Sequence, residues 1–380
     1  MLFATTSGAS ATAHGETVAA RLIRQLVSFG AADVTVIARS WNAGVAGGVS
    51  VVESAGPLED LRLLSEIADS TDSGIVLACA DTLAPDTAIS AVMSDPTSRS
   101  GVLTAGAESS GDPHSAMLTA AADSAGRLDV AVHRDRGMVL SAATEFHSVG
   151  DPNAVAAGLL RVSGPDLDGL RAGLRRLAEE NVPRLAPEAE AWRLALLALV
   201  RGGDVKLVAY EVPGLPYGRV AGMAAASGLA AEIDACDEDA VRLNLCVKRD
   251  DDLFATYCIS SYSRILVKAC ARVGLTPVAV TWLSILFAFG AAAAFAQGSR
   301  AAMIAAAAAM YVSFVFDCVD GQLARYTHRF SAFGGWLDMI ADRGKEYLVY
   351  AGLALGAASA GLTWAWPLAV AAITVQTARH

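Results

Sequence analysis

The sequence is short of charge and lacks the features that mark nucleic-acid-binding or secreted proteins. Only 18% of its 380 residues are charged, and 29 Lys and Arg against 39 Asp and Glu leave a formal net charge of −10. No basic stripe is available to replace the counterions of a phosphate backbone, which excludes nucleic acid as the main partner. The six cysteines form no CxxC pair and no Cys/His cluster of zinc-finger spacing, so free thiols in a reducing compartment are expected. The first residues, MLFATTSGASATAHGE, contain neither a basic segment nor an apolar run, and no cleavable leader is expected from them.

What the chain has in abundance is apolar surface: 54% of residues are hydrophobic and the mean hydropathy is +0.42. That surface is unevenly distributed. Up to about Arg249 the chain is rich in Ala, Gly and Asp with frequent charges, while from Val278 onward long apolar runs dominate. The first part alternates strand-like and helix-like segments. Strands are expected at Leu2–Thr5, Val34–Ala38, Gly74–Ala80, Gly101–Thr104 and Val205–Tyr210. Helices are expected at Glu16–Phe29, Leu58–Ala68, Pro85–Met93, Gly164–Glu180 and Glu188–Val200. This order points to a largely parallel sheet with crossover helices. Glu211–Arg249 reads as the domain edge and a linker.

A membrane span needs about 20 predominantly apolar residues. Val278–Ala296, Ala301–Phe316, Phe333–Gly361 and Trp364–Val375 are the four candidates. Ahead of them, Tyr257–Val273 places Arg264, Lys268 and Arg272 on one side of an amphipathic helix suited to the membrane interface. Basic residues cluster before the first span and between the second and third, which puts the N-terminal domain and the acidic residues described next on the cytoplasmic side of the cell membrane. The expected organisation is 1–249 as a cytoplasmic α/β domain, 250–274 as linker and interfacial helix, and 275–380 as an all-α polytopic membrane domain. The apolar pattern stops at His380 without a closing segment, so a membrane domain incomplete at its C-terminus is expected.

The chemistry concentrates in FDCVDGQLARYTHRFSAFGGWLDMIADRGKEY, from Phe316 to Tyr347. Asp317 and Asp320 share one helix face, as do Asp338 and Asp342. Four carboxylates at membrane depth mark function, and their mutual repulsion calls for a cation. Hard oxygen ligands suit Mg²⁺ or Mn²⁺. Gly321 leaves space for a ligand to approach the backbone, as does Gly334 four residues before Asp338, and the Arg325 guanidinium is shaped for a phosphate or pyrophosphate.

The pattern Asp317-x2-Asp320-Gly321-x2-Ala324-Arg325-x8-Gly334-x3-Asp338-x3-Asp342 resembles the signature of the CDP-alcohol phosphotransferase family. The resemblance implies a two-metal site held by Asp317, Asp320, Asp338 and Asp342, with Asp342 also serving as general base. It implies CDP-alcohol binding at Gly321, Ala324, Arg325, Ser331 and Gly334. Thr276–Thr281 resembles the family's opening to its first span, with Val278 in place of the usual Asn, and brings Thr281 to the nucleotide. The implied reaction moves a substituted phosphate group from a CDP-alcohol, of the CDP-diacylglycerol or CDP-inositol type, to an acceptor alcohol with release of CMP. The expected partners are these two substrates, membrane lipid and a second copy of the chain in a homodimer.

The N-terminal domain resembles a GT-A-like, three-layer nucleotidyltransferase, as in bifunctional inositol-phosphate cytidylyltransferase/di-inositol-phosphate-phosphate synthases. Asp81, after the third strand, is then a possible metal ligand. The first loop, Thr6–Gly15, has Gly8 and Gly15 but no Lys or Arg precedes Arg21, so a triphosphate there would be poorly neutralised. A degenerate domain is expected. Two further readings stand beside the transferase: an inactive membrane anchor that binds a nucleotide or partner, and a bifunctional cytidylyltransferase and transferase.

Overall fold

The computed structural model describes residues 1–42, 49–95, 97–106, 129–144, 148–180, 190–247 and 260–379. The chain divides into two units, Met1–Val241 and Arg242–His380. In order, the first unit holds β1 (Leu2–Ala4), β2 (Thr12–Ala13), β3 (Glu16–Thr17), α1 (Val18–Ser28), β4 (Thr35–Ala38), β5 (Ser50–Glu53), α2 (Pro57–Ser70), β6 (Ile75–Cys79), β7 (Thr82–Leu83), α3 (Asp86–Met93) and β8 (Gly101–Gly106). It continues with β9 (Val130–Asp135), β10 (Met138–Ala142), β11 (Ala154–Val162), α4 (Leu167–Glu179), α5 (Ala191–Gly202), β12 (Val208–Tyr210), β13 (Gly218–Arg219) and α6 (Met223–Ala235). α7 (Glu238–Leu245) crosses the division.

Nine strands form one sheet in the order β5-β4-β1-β6-β11-β8-β12-β10-β9. The strands that alternate with helices early in the chain pair in parallel. β11, however, runs antiparallel to β6, β8 and β9, so the sheet is mixed rather than largely parallel. Successive residues in β1, β4 and β6 point to opposite faces, and both faces are buried. Phe3, Ile37, Leu77 and Cys79 join the core under α2, α4 and α5. Leu2, Ala4, Val36, Ala38 and Ala78 join the core under α1 and α3. This is a three-layer α/β arrangement.

Two stretches differ from the sequence reading. The loop after β1 is not open: Ser7–Ser10 form a 3₁₀ turn, and β2 and β3 make a hairpin whose two turn residues, His14 and Gly15, both have positive φ. Nor is 211–247 a linker. It supplies β13 and two helices, and Ala226, Leu229 and Ala230 pack on Val18, Leu83 and Val220.

The second unit contains α8 (Ser260–Val273), α9 (Pro277–Ala296), α10 (Arg300–Thr327), α11 (Ala332–Ser359) and α12 (Ala365–Arg379). The residues 257–259 expected to begin α8, and the 250–259 part of the expected linker, lie outside the described residues. Among the described residues two helices, α9 with 20 residues and α10 with 28, are long and apolar enough to cross a membrane. At 1.5 Å per residue α9 alone covers about 30 Å. α11 is as long as α10 but carries five charged residues between Asp338 and Glu346, and α12 has only 15 residues. Those are the physical reasons that two rather than four helices meet the criterion.

Small residues let α9 and α11 approach. A Cβ on Gly352 would lie 2.5 Å from the Ala292 carbonyl oxygen, and one on Gly356 would lie 2.2 Å from that of Phe295. Glycines at this four-residue spacing are a common device for close helix contact in lipid. α9 and α10 are joined by reciprocal bonds, Ser284 Oγ to the Ser313 carbonyl at 2.9 Å and Ser313 Oγ to the Ser284 carbonyl at 2.7 Å.

Candidate active site

α9 begins where Thr276 Oγ1 accepts from the Ala279 amide and Pro277 takes the first helical position. One turn on, Thr281 Oγ1 donates to Asp320 Oδ2 at 2.6 Å and so fixes that buried carboxylate on α10. α10 ends at His328, whose left-handed conformation closes the helix with its amide on the Ala324 carbonyl. Ser331 then caps α11, its Oγ accepting from the Gly334 amide at 2.9 Å. This short turn brings the acidic end of α10 against the acidic start of α11.

Asp317, Asp320 and Asp338 each present an oxygen, all within 4.8 Å of one another. Asp342 stands apart from that trio. Its Oδ1 lies 3.1 Å from Lys345 Nζ, which also bonds Asp317 and donates to Ser284 Oγ at 3.2 Å. Beside these groups is a cavity of about 460 Å³ lined by Ser313, Phe314, Asp317, Met339, Asp342 and Arg343, among others. In the sequence Lys345 counts only among the basic residues between the second and third apolar segments, and Ser284 and Ser313 are not singled out. The available signal was a lysine one turn beyond Asp342 in a helix that becomes apolar.

The remaining predicted residues lie around this cluster. Gly321 is on α10, where an added Cβ would meet only the Arg325 Nη atoms, at 3.5 and 3.9 Å. The Arg325 Nε donates to the Cys246 carbonyl at 2.6 Å, which sets the plane of the guanidinium. Next to it Tyr326 carries Arg242 over its ring, 4.4 Å from the centroid. Gly334 is packed tightly: a Cβ there would lie 2.8 Å from Ser331 Oγ and 3.4 Å from Val278. Ser331 and Gly334 are therefore tied together as the helix start, whatever else they touch.

In the N-terminal unit Asp81 is fully buried and both its oxygens are engaged. Arg219 Nε and Nη2 bond Oδ1 and Oδ2 at 2.8 and 2.9 Å, and Thr6 Oγ1 donates to Oδ2 at 2.6 Å. The same guanidinium reaches Glu190 through Nη1 and Nη2 at 2.6 and 2.7 Å, and the Arg219 amide donates to Asp129 Oδ1. Burial alone pushes the Glu190 carboxyl up, but the charge and hydrogen bonds of Arg219, then of Arg193, outweigh it and hold it below the ordinary range. Burial likewise opposes charge on Arg219, and Asp81 leads the groups that keep it charged. The backbone makes room for this arginine at Gly158 (φ +79°), where a Cβ would lie 2.8 Å from Arg219 Cδ. Gly8 is pressed onto the same place, its Cβ position 1.8 Å from the Val220 carbonyl oxygen. The position proposed for a metal thus faces an arginine, and the first loop packs on the chain beside it.

Parts of the chain are similar to known proteins. The chain is 35% identical over 92 residues to the archaetidylinositol phosphate synthase of Methanothermobacter thermautotrophicus, covering 24% of this chain and 46% of the relative. It is 35% identical over 89 residues to the enzyme of the same name from Pyrococcus horikoshii, covering 23% of this chain and again 46% of the relative. The matches span about half the length of these relatives. Among solved structures, the inositol-1-phosphate CTP transferase of T. maritima superposes with a TM-score of 0.42 at 13% identity, over 61% of this chain and 94% of that one. The CTP:phosphocholine cytidylyltransferase of Streptococcus pneumoniae gives 0.39 at 11% identity, over 60% and 96%. These are loose likenesses in chain path. Residues 274–379, within the C-terminal unit, match the family profile described as CDP-alcohol phosphatidyltransferase.

Proposed function

We propose that the C-terminal unit is a membrane enzyme that transfers a substituted phosphate group from a CDP-alcohol to the hydroxyl of an acceptor alcohol, releasing CMP. The observation that carries this reading is the convergence of Asp317, Asp320 and Asp338 from two helices, within 4.8 Å, inside the family-matched region. The donor set fits a divalent metal. It consists of hard oxygens, and a positive group, the Lys345 ammonium, already bonds Asp317. Asp317, Asp320 and Asp338 would hold one Mg²⁺ or Mn²⁺, and Asp342 with Asp317 would hold a second. When bound, the metals supply charge neutralisation at the pyrophosphate and the departing CMP.

The chain's own residues do the rest. Arg325, oriented by the Cys246 carbonyl, and the open backbone at Gly321 receive the nucleotide, with Ala324 beside them on α10. Thr281 keeps Asp320 in its rotamer. Asp342, 55% exposed beside the cavity, accepts the proton of the attacking hydroxyl. α9 and α10 anchor the enzyme in the membrane, with α8 at its interface and the acidic cluster on the cytoplasmic side. The N-terminal unit is read as non-catalytic, because Arg219 and Thr6 hold both oxygens of Asp81. The transferase then depends on a CDP-alcohol made elsewhere.

Metal removal tests this. In detergent-solubilised full chain, CMP release from a CDP-alcohol should fall to background in EDTA and return with Mg²⁺ or Mn²⁺. Undiminished turnover in chelator would sink the metal-centre reading.

A further inference from the structure

The acidic cluster contains a cation of its own. Lys345 lies one turn beyond Asp342 and two beyond Asp338 on α11 and is 6% exposed. An ammonium has three N–H donors, and this one has three partners on three helices. It bonds Asp317 of α10, lies 3.1 Å from Asp342 Oδ1 on its own helix, and donates to Ser284 Oγ of α9 at 3.2 Å. Ser284 is held in turn by its bonds to Ser313. The carboxylates are therefore divided. Asp317, Asp320 and Asp338 face one another as a trio, while Asp317 and Asp342 are joined through the ammonium.

A buried lysine is expensive unless its charge is matched. Here the match is made by two carboxylates of the proposed metal site, at the place where a second divalent ion would have to bind them. A second divalent ion held by Asp317 and Asp342 would stand next to the ammonium that already contacts both, and the repulsion between the two cations grows as the local dielectric falls.

We propose that Lys345 is a built-in substitute for the second divalent cation: it holds Asp317 and Asp342 together while one metal is bound, and the second metal enters only by displacing it. This rests on the reading of the acidic cluster as a metal centre, and deepens it. Lys345 is thus a positioning residue that makes the two sites unequal. An ion in the trio leaves the Lys345–Asp342 pair in place, whereas an ion between Asp317 and Asp342 must take both carboxylates from the ammonium. Ion-pair geometry alone, as a purely structural brace, would leave the ratio of the two affinities unaffected by removal of the charge.

Mn²⁺ binding separates these. Metal-stripped full chain in detergent micelles is titrated at one fixed pH and free Mn²⁺ is followed by its paramagnetic resonance signal. The wild type should show one tight site and a second weaker by tenfold or more. Lys345→Met should tighten the second site at least tenfold with little change in the first, and Lys345→Arg should keep the wild-type inequality. Lys345→Gln replaces Lys345→Met if the latter does not fold, because its amide can still donate to these partners. Two equal sites in the wild type, or an unchanged second site in the neutral variants, would overturn the role of Lys345 and leave the metal centre standing. Absence of any Mn²⁺ binding, or Mn²⁺ binding unaltered by Asp320→Asn, would overturn the metal centre and the Lys345 proposal with it.

Discussion

Asp342→Asn should lower kcat by about 10²–10⁴-fold, the range a positioned general base supplies, while the affinity for the CDP-alcohol stays within a few fold. Asp317→Asn should behave differently, weakening metal binding and raising the metal concentration needed for half-maximal rate. The contrast follows from the geometry. Asp317 sits among three carboxylates and the ammonium, whereas Asp342 is the more exposed member beside the cavity. Asp317 would be a ligand of both ions and acts in the ground state, whereas Asp342, a ligand of the second ion alone, acts in addition as base when the hydroxyl attacks. Single-turnover rates together with equilibrium binding of the donor distinguish the two. Normal turnover by Asp342→Asn would place the base elsewhere.

The second large effect concerns stability of the N-terminal unit. Arg219 is 1% exposed and is the charge partner of the fully buried Asp81 and of Glu190. Removing one member of a buried ion pair leaves an uncompensated charge and costs about 3–5 kcal/mol. Arg219→Met should therefore lower the urea midpoint of this unit, read in the full chain by hydrogen exchange at residues 75–83. Adding Asp81→Asn should restore part of the loss, because the uncompensated charge rather than lost packing dominates. Acid should act in the same direction. Glu190 titrates below its ordinary range in the folded chain, so its contribution is present above the unfolded value and disappears as pH falls through the folded one. A wild-type midpoint in Arg219→Met would show that the network contributes nothing.

The acidic site was legible because its information is local. Asp317 with Asp320, and Asp338 with Asp342, lie within a helical turn of each other, so spacing alone fixes their faces. Thr281 and Ser331 were reachable only through resemblance to a family, and their bonds to Asp320 and Gly334 add a local reason for each. Lys345 was legible as a charge but not as a partner of Asp317, since that contact depends on how α10 and α11 each pack on α9.

The N-terminal unit shows the opposite case. Strands near β1, β4 and β6 stand out as apolar runs bounded by turn residues, and their parallel pairing follows. β11 does not stand out. AVAAGLLRV is an Ala-rich run with no period-2 alternation, because nearly all of it is buried on both faces, and its glycine with positive φ falls where the register with β8 shifts. Arg219 is separated from Asp81 by 138 positions, so no spacing rule could join them. The absence of a cation in the first loop was visible in sequence, but not that an arginine from β13 would face Asp81.

Residues 274–379 are proposed to cleave a CDP-alcohol with the help of this carboxylate cluster. The most direct measurement is CMP release by membranes carrying the full chain, supplied with Mg²⁺, labelled CDP-diacylglycerol or CDP-inositol and a panel of acceptor alcohols. One CMP per molecule of product is expected with at least one donor and acceptor pair, falling to background in Asp317→Asn and Asp320→Asn. Folded, membrane-inserted protein that releases no CMP from either donor with any acceptor, or releases it equally in those variants, would contradict it.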